Sequence, residues 1–405
     1  MMTSRERVLN AVEFKPTDRL PLDLSGMRST GISVFAYPGL VEALGLPPRR
    51  PRVYDTGQML ALPEPDVLDA LGCDCVVVED GLTNAFPQPG LWHDYDFNGR
   101  LPAQVREPHA YKVLPDGTIT LHGWASMPPA SNVFTSEHAG CGVDLSADIP
   151  RPDVEAHRAR CESQKLTPDA AGAMAAFCHK VRAAAGDRAV FASLGPVNSG
   201  MGIGMGVFPV QCVLYPEEVN ACHAASAGRC VHNMRFLLPL IRGDIDILML
   251  TADDWGTQTS LVASPGVHRE LFKPHYRRMN DAAHELAPRL KTFIHTCGAV
   301  YPLIQDFAEA GFDIMNPVQW SAGGHSPAAW KAAANGKIAF WGGGVNAQHT
   351  LPLKSAGDVR AEVRRVVPGL ARGGGYVFCN THNILAEIAP EKVVAMYGEA
   401  RGIRP

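Results

Sequence analysis

The chain has 405 residues, of which 46% are hydrophobic and 19% are charged, a composition typical of a globular enzyme rather than a disordered chain. The net charge of −4 gives no electrostatic reason to expect nucleic-acid binding, and the absence of a long apolar run predicts no membrane span. The first residues, MMTSRERVLNAVEF, lack the apolar segment of a secretory signal, so we expect the ten cysteines to be thiols in a cytoplasmic protein.

Short β-rich runs recur along the chain, each followed by a polar or glycine-rich tip and a helical stretch. The runs are RLPLDL (19–24), CVVVED (75–80), AVFASLG (189–195), IDILML (245–250), KTFIHT (291–296), FDIMNP (312–317), IAFWGG (338–343) and YVFCNT (376–381). Near-continuous apolar strands that alternate with helices indicate a parallel sheet buried on both faces. Eight such units predict a closed (β/α)8 barrel. A doubly wound open sheet is the alternative.

One long stretch, approximately residues 84–165, is poor in this pattern and rich in proline, glycine and histidine. Long loops in compact domains are usually functional lids or disordered segments. We therefore predict one domain over residues 1–405, with an N-terminal helical extension and with 84–165 as an insertion over the barrel mouth.

Polar and ligand-type residues follow the predicted strands, at the ends where the active sites of such barrels lie. The segment FIHTCGAVYPLI (293–304) places His295 and Cys297 two residues apart, and side chains at this spacing share one face of a strand. Imidazole and thiolate are both good zinc ligands, and a catalytic zinc uses three protein ligands and one open position. The last predicted strand offers Cys379 and His382 as candidates for the third ligand. The alternative is that the pair consists of buried polar residues satisfied by their neighbours.

Five blocks of the sequence, in order, resemble the uroporphyrinogen decarboxylase superfamily. They are SRERVLNAVEFKPTDRLPLDL (4–24), TADDWGTQTSLVASPGVHRELFKPHYRRM (251–279), HTCGAVYPLIQDFAEAGFDIMNPVQ (295–319), WGGGVNAQHTL (341–351) and GGGYVFCNTHNI (373–384). The superfamily contains cofactor-free decarboxylases with a single barrel domain. It also contains zinc-dependent methyltransferases, which move a methyl group between a corrinoid protein and a thiol or another acceptor.

The resemblance implies a metal site, with one departure from the family pattern. The methyltransferases use an HxC pair, which His295 and Cys297 match, and a later Cys near the last strand. That later position falls on His382 here, so either His382 or the nearby Cys379 would be the third ligand. The decarboxylases also carry a His at this point.

The decarboxylase pattern is matched less well. Its N-terminal signature of the form MRQAGRY appears here as GMRSTGIS (26–33), which keeps Arg28 and loses the second arginine. A substrate with many carboxylates needs several cations. Asp254 stands where the decarboxylase segment of the form DSWAG has a small hydroxyl residue. An extra carboxylate there would repel an acidic tetrapyrrole, but it could pair with a cationic substrate or act as a general base.

We therefore predict a zinc-dependent methyltransferase, with zinc on His295, Cys297 and His382 or Cys379. Asp254 and His382 are the predicted catalytic residues. The predicted substrate-binding residues are Arg28, Asp253, Trp255, Gln258, Gln319 and Asn346. The chain has no corrinoid-binding motif of the DxHxxG type, so a corrinoid would arrive on a partner protein. The rival predictions are a metal-independent decarboxylase of a small carboxylate or porphyrinogen-like substrate, with His382 as proton donor, and a non-catalytic ligand-binding relative.

Overall fold

Strands and helices alternate over most of the chain. The computed structural model describes residues 2–136, 148–201 and 206–404. The strands are β1 (Val53–Asp55), β2 (Leu60–Ala61), β3 (Cys75–Glu79), β4 (Leu82–Thr83), β5 (His93–Asp96), β6 (Pro102–Val105), β7 (Tyr111–Val113), β8 (Ile119–Leu121), β9 (Ala125–Met127), β10 (Thr135–Ser136), β11 (Ala189–Ser193), β12 (Ile247–Ala252), β13 (Lys291–His295), β14 (Ile314–Asn316), β15 (Ala339–Trp341) and β16 (Tyr376–Val377). The α-helices are α1 (Ser4–Val12), α2 (Tyr37–Ala43), α3 (Pro65–Leu71), α4 (Val154–Ser163), α5 (Pro168–Ala184), α6 (Phe208–Leu214), α7 (Pro216–Leu237), α8 (Pro265–Leu271), α9 (Lys273–Leu286), α10 (Ile304–Glu309), α11 (Pro327–Ala334), α12 (Thr350–Leu353), α13 (Ala356–Ala371) and α14 (Pro390–Gly402). None of the helices in these described ranges has both the length and the apolar character that a membrane span requires.

The largest sheet in the described residues has eight strands, in the order β16-β15-β14-β13-β12-β11-β3-β4. Every neighbouring pair is parallel except β3 and β4, which are antiparallel. Seven of the eight predicted strand runs supply the parallel strands. This is the arrangement expected for apolar segments that are covered on both faces.

The remaining predicted run, residues 19–24, joins the two ends of this sheet without forming a regular strand. Leu22 makes a parallel bridge to Phe378, directly after β16. The amide of Asp74, directly before β3, donates to the Leu22 carbonyl at 2.7 Å. The sheet is therefore curled in the manner of a (β/α)8 barrel. The prediction of an α/β chain built on such a sheet is confirmed.

The inside of the curled sheet is filled with apolar side chains, because alternate residues of each strand point inward. Phe191 lies edge-on against Phe293 and Trp341, with ring centroids 4.8 Å and 5.7 Å away. The buried cluster around them is Val8, Val12, Met27, Cys75, Ala189, Phe191, Ile247, Met249, Phe293, Ile314, Ala339, Trp341, Val377 and Cys379. The carboxyl ends of the strands are left as the rim where a site can form.

Helix α1 lies at the opposite, amino ends of the strands. Its Ala11 carbonyl accepts a hydrogen bond from the amide of Gly375 at 2.7 Å, directly before β16. Val8 and Val12 of the same helix belong to the inner apolar cluster.

The stretch 84–165 forms antiparallel structure of its own. Strand β5 pairs with β6, and a separate sheet has the order β10-β9-β8-β7. Residues 137–147 of this stretch lie outside the described residues. The stretch contacts the β1–β2 hairpin, where the amide of Phe134 donates to the Gly57 carbonyl at 3.0 Å. The hairpin in turn contacts the chain beyond β16, where Asn383 donates to Gln58 at 2.7 Å.

Candidate metal centre and cleft

His295 and Cys297 lie at the carboxyl end of β13, on the rim of the curled sheet. His295 is the last residue of the strand and pairs with Ala252 of β12 and Asn316 of β14. Its Nε2 lies 3.3 Å from Cys297 Sγ. His295 is buried and Cys297 is half-buried. The two side chains thus lie on one side of the chain, as their spacing along an extended segment implies.

His382 brings a third ligand-type side chain to this pair. The candidate ligand atoms of His295, Cys297 and His382 all lie within 4.8 Å of one another, and the two imidazole centroids are 5.6 Å apart. Cys379 belongs instead to the inner apolar cluster, and its Sγ donates to the Asn380 carbonyl at 3.1 Å. Of the two predicted third ligands, the structure places His382 in the group and Cys379 outside it.

Asn316 determines which nitrogen of His295 is available to a ligand. Asn316 Nδ2 donates to the Trp341 carbonyl at 2.8 Å, so its Oδ1 is the acceptor that faces His295 Nδ1 at 2.7 Å. Nδ1 then carries the proton and Nε2 keeps its lone pair. Nε2 is also the nitrogen that approaches Cys297 and lies 3.3 Å from Ser29 Oγ. A hydrogen bond to the far nitrogen is the usual way in which a protein orients a metal-binding histidine.

Asp253 is buried beneath the rim, and its carboxylate is hydrogen-bonded to other groups of the protein. It accepts hydrogen bonds from the Met201 amide at 2.7 Å, the Thr251 hydroxyl at 2.5 Å and the Tyr276 hydroxyl at 2.7 Å. Burial raises the pKa of Asp253 to about 6, although these donors act in the opposite direction. Its predicted contact with substrate stays a prediction. Its observed hydrogen bonds hold Met201 next to the end of β12.

Asp254, the next residue, has the opposite environment. Its side chain is 53% exposed, and one carboxylate oxygen lies 3.7 Å from His295 Nε2. The same oxygen accepts a hydrogen bond from the amide of Cys297 at 2.8 Å. A solvent-accessible carboxylate therefore lies directly beside the three ligand-type side chains, where it could accept a proton from a bound molecule.

Two glycines allow the loops after β12 and β13 to touch. The amide of Gly256 donates to the Cys297 carbonyl at 3.0 Å. A Cβ on Gly256 would lie 2.4 Å from the Ala299 nitrogen, and one on Gly298, where φ is +88°, would lie 2.2 Å from the Gly256 oxygen. Neither position can hold a side chain without moving the other loop. This close contact fixes Asp254 relative to Cys297.

A cleft of about 400 Å³ is bordered by these loops and by Cys297 and His382. Gln319 accepts a hydrogen bond from the Gly298 amide at 2.8 Å and donates to Gln258 at 3.3 Å. The remaining lining residues are Gly256, Thr257, Ser321, Ala347, Gln348 and Thr381. Among the residues that the structure describes, this lining contains amides and hydroxyls but no lysine or arginine. It therefore offers no cation to an acidic substrate.

Burial shifts the titration of two members of the group. It lowers the pKa of His382 to about 4, and the neighbouring His295 acts in the same direction. Burial also raises the pKa of the Cys297 thiol well above its ordinary value, and Asp254 adds to this effect. A cation placed beside the sulfur would oppose the second shift, because positive charge favours the thiolate.

Arg28 is paired with carboxylates of the protein. It forms an ion pair with Glu79 at the end of β3 and another with Asp55 at 3.2 Å. Tyr54 donates a hydrogen bond to the same Glu79. Two protein carboxylates thus compensate the positive charge of Arg28, which was predicted to bind substrate.

Trp255 and Asn346 are not among the residues that line the cleft. Trp255 is fully buried and packs edge-on against Phe272 with ring centroids 4.6 Å apart. The side-chain oxygen of Asn346 accepts hydrogen bonds from the amides of Gln348 and His349, at 2.9 Å and 3.0 Å. Asn346 therefore shapes the loop that brings Gln348 to the cleft.

Sequence reasoning missed the partners of His295. Asn316 stands at the end of a predicted strand, where its polar side chain is a visible signal, but its hydrogen bond to His295 could not be inferred. Ser29 is 266 residues away from His295 in the chain, and no sequence pattern around it indicated this contact. Thr381 and Gln348 of the cleft lining were also missed.

Part of the chain resembles a known protein family. Residues 216–403 match the family model "Uroporphyrinogen decarboxylase (URO-D)". The uroporphyrinogen decarboxylases of two strains of Thermus thermophilus are each 28% identical to this chain over 184 residues, which are 45% of this chain and 49% of theirs. The chain therefore matches about half the length of these curated relatives.

A methyltransferase from Methanosarcina mazei has a similar fold, with a TM-score of 0.50 and 15% identity over 99% of this chain and 98% of that chain. This likeness concerns the fold alone. The family match over residues 216–403 and the shared fold support the resemblance to the uroporphyrinogen decarboxylase superfamily that the sequence blocks predicted.

Proposed function

We propose that this chain is a zinc-dependent methyltransferase. It would move a methyl group between a small methylated substrate and a corrinoid protein, thiol or folate-type acceptor. The observation that carries the proposal is the group of His295, Cys297 and His382 at the wall of a cleft of about 400 Å³. The match of residues 216–403 to the family model and the fold shared with the Methanosarcina mazei methyltransferase support it.

The donor set fits zinc. Two imidazoles and one thiol are ligands that zinc prefers, and three protein ligands leave one position open to substrate. Asn316 leaves the lone pair of His295 Nε2 free on the side of Cys297. The low pKa of His382, about 4, keeps its imidazole neutral at pH 7, the form that binds a metal. When bound, zinc would supply Lewis acidity, which makes a thiol or hydroxyl at the open position easier to deprotonate.

The side chains of the cleft would perform the remaining tasks. Asp254 is exposed beside the group and would accept the proton that an acceptor thiol or hydroxyl loses. Gln258 and Gln319, which are already hydrogen-bonded to each other, would orient a polar group of the substrate. Asp253 and Trp255, both buried, would act on substrate only through the position of Asp254 between them.

Apart from the proposed zinc, the described lining supplies no cation, so an acidic group of a methyl donor would have to bind the metal itself. A corrinoid would be carried by a partner protein that docks at the rim of the curled sheet. The cytoplasmic location expected from the sequence stays a prediction.

We also propose that residues 1–405 form one complete (β/α)8 barrel with a helical extension at its amino end and with 84–165 bordering the mouth. The bridge from Leu22 to Phe378 supports closure of the barrel. The hydrogen bonds that link residues 134, 57–58 and 383 support a position of the insertion near the mouth.

A decarboxylase is the second candidate, because the curated relatives with 28% identity are uroporphyrinogen decarboxylases. In that case Arg28 would bind a carboxylate and His382 would be the proton donor. The ion pairs of Arg28 with Glu79 and Asp55 argue against this role.

The test is to measure zinc per chain in the purified protein by elemental analysis, and then turnover with a panel of methylated donors and thiol acceptors. We expect chelation to abolish methyl transfer and added zinc to restore it. The His382→Ala variant should lose zinc and activity, whereas His349→Ala, which changes an exposed histidine near the cleft, should keep both. Turnover by zinc-free protein, or release of carbon dioxide from carboxylate substrates, would overturn the proposal in favour of the decarboxylase. Zinc binding without turnover of any donor would favour the non-catalytic relative.

A further inference from the structure

A second cavity, of about 330 Å³, lies between helices α4, α7 and α9. Its lining carries an excess of positive charge. The only acidic lining residue among those described is Glu162, and the cationic residues are Arg158, Lys165, Arg229, Arg235 and Arg278. This excess of positive charge is local, because the whole chain has a net charge of −4. The cavity shares no lining residue with the cleft at His382.

Three of these cations have no carboxylate partner in the described part of the chain. Lys165 pairs with Glu162 at 2.7 Å, and Arg158 pairs with a glutamate one turn away at 2.8 Å. Among the described residues, Arg229, Arg235 and Arg278 have no carboxylate oxygen within 4.0 Å. An uncompensated cluster of three guanidinium groups around a cavity repels itself and favours an anion.

Arg229 is held in place by hydrogen bonds from its guanidinium. Its guanidinium donates to Gln164 at 2.8 Å and to the Asn198 carbonyl at 2.7 Å. Its Nε is buried and has no hydrogen-bond partner among the described residues. The two hydrogen bonds fix the guanidinium at the edge of the cavity, which Arg229 lines.

Arg278 of α9 reaches the backbone of α7 at Gly228. A Cβ at this glycine of α7 would lie 3.7 Å and 3.8 Å from the two terminal nitrogens of Arg278 on α9. The guanidinium of Arg278 thus passes directly over the α7 backbone, next to Arg229. Two different helices thus each contribute an arginine to the lining of one cavity.

We propose that this cavity binds a small molecule that bears phosphate groups, with Arg229, Arg235 and Arg278 as its main contacts. The planar fork of arginine matches phosphate oxygens in bidentate geometry. The volume of about 330 Å³ suits a small molecule rather than a flat membrane surface. The excess of positive charge favours a ligand with more than one negative charge. This proposal does not depend on the function proposed for the other cleft.

The test uses the full chain with inorganic pyrophosphate as the probe, and binding is measured by isothermal titration calorimetry at low ionic strength. We expect binding by the unchanged protein, and a loss of about 100-fold in the Arg235→Gln/Arg278→Gln double variant, at about tenfold for each lost charged contact. Both side chains are exposed, so the variant should fold, which a thermal melt would verify. The matched control is Arg277→Gln, an exposed arginine beside Arg278 that donates to the Glu309 carbonyl and does not line the cavity. Binding by this control should stay within about twofold, because surface charges away from a site contribute little.

Four results would overturn the proposal. They are no binding of pyrophosphate at millimolar concentration, equal weakening by Arg277→Gln, unchanged binding in the double variant, and tighter binding of citrate than of pyrophosphate. The last result would assign the cavity to carboxylates. In a parallel experiment, the protein is sedimented with phosphatidylglycerol vesicles. If it sediments with the vesicles but does not bind pyrophosphate, the cavity is part of a membrane contact instead.

Discussion

The two cysteines near the proposed metal centre should respond to substitution in opposite ways. Cys297→Ala removes a thiol whose Sγ lies 3.3 Å from His295 Nε2, inside the group of three. Cys379→Ala removes a thiol that is equally near the strand ends in sequence but lies in the apolar interior. We therefore expect Cys297→Ala to lose zinc and Cys379→Ala to keep it.

The expected loss of zinc affinity follows from the number of ligands. Protein zinc sites with four ligands bind the metal with roughly 10–16 kcal/mol at pH 7, so one ligand accounts for about 2.5–4 kcal/mol. The loss in zinc affinity should then be about 10²–10³-fold for Cys297→Ala and similar for His382→Ala. Cys379→Ala should cost about 1–2 kcal/mol of folding free energy, because it leaves a small cavity in a packed interior.

The assay is a competition between each variant and a chromophoric zinc chelator, with urea unfolding measured in parallel. The ligand assignment fails if Cys379→Ala loses zinc while His382→Ala retains it. It also fails if Cys297→Ala binds zinc as tightly as the unchanged protein, in which case other groups hold the metal.

Three further predictions concern the neighbouring carboxylates and pH. Asp254→Asn should lower turnover by about 10²–10⁴-fold, the usual contribution of a general base, and leave zinc per chain unchanged in elemental analysis; full activity would exclude it as the base. Asp253→Asn should weaken the pH dependence of stability. Because the folded-state pKa of about 6 lies above the ordinary value of 3.8, the stabilisation from the protonated carboxyl is present below about pH 4 and is lost as the pH rises through about 6. Urea unfolding at several pH values between about 4 and 6 should show that the variant loses less stability with rising pH than the unchanged protein does. The difference should be at most about 1.4 kcal/mol per pH unit. Equal dependence of stability on pH in the two proteins would contradict the raised pKa. Zinc occupancy should fall between pH 7 and about pH 5 in dialysis experiments, because protons compete for the ligands, and constant occupancy would point to a different ligand set.

Local patterns in the sequence were sufficient to predict seven strands of the main sheet, but not the short antiparallel strand β4. Apolar runs that alternate with helices are a local property of the chain, and seven of the eight runs became parallel strands of one sheet. The neighbourhood of His295 and Cys297 was also predictable, because residues two apart on an extended segment point to the same side. The family blocks in the C-terminal half were visible for the same reason: they are contiguous.

Which side chains meet depends on contacts between segments that are far apart in the chain. Cys379 follows the extended chain of β16 and lies in the interior, whereas His382 lies beyond the strand and reaches His295. Asp253 and Asp254 are adjacent, yet one is buried and the other is 53% exposed. The physical reason is that these outcomes depend on where the chain turns after a strand and on what packs against it, and no local pattern records either.

The same reason applies to Arg28. Its partner Glu79 is 51 residues away in the sequence and lies at the end of β3. A cation that the sequence offered to substrate is therefore neutralised by a contact that exists only once the sheet has curled.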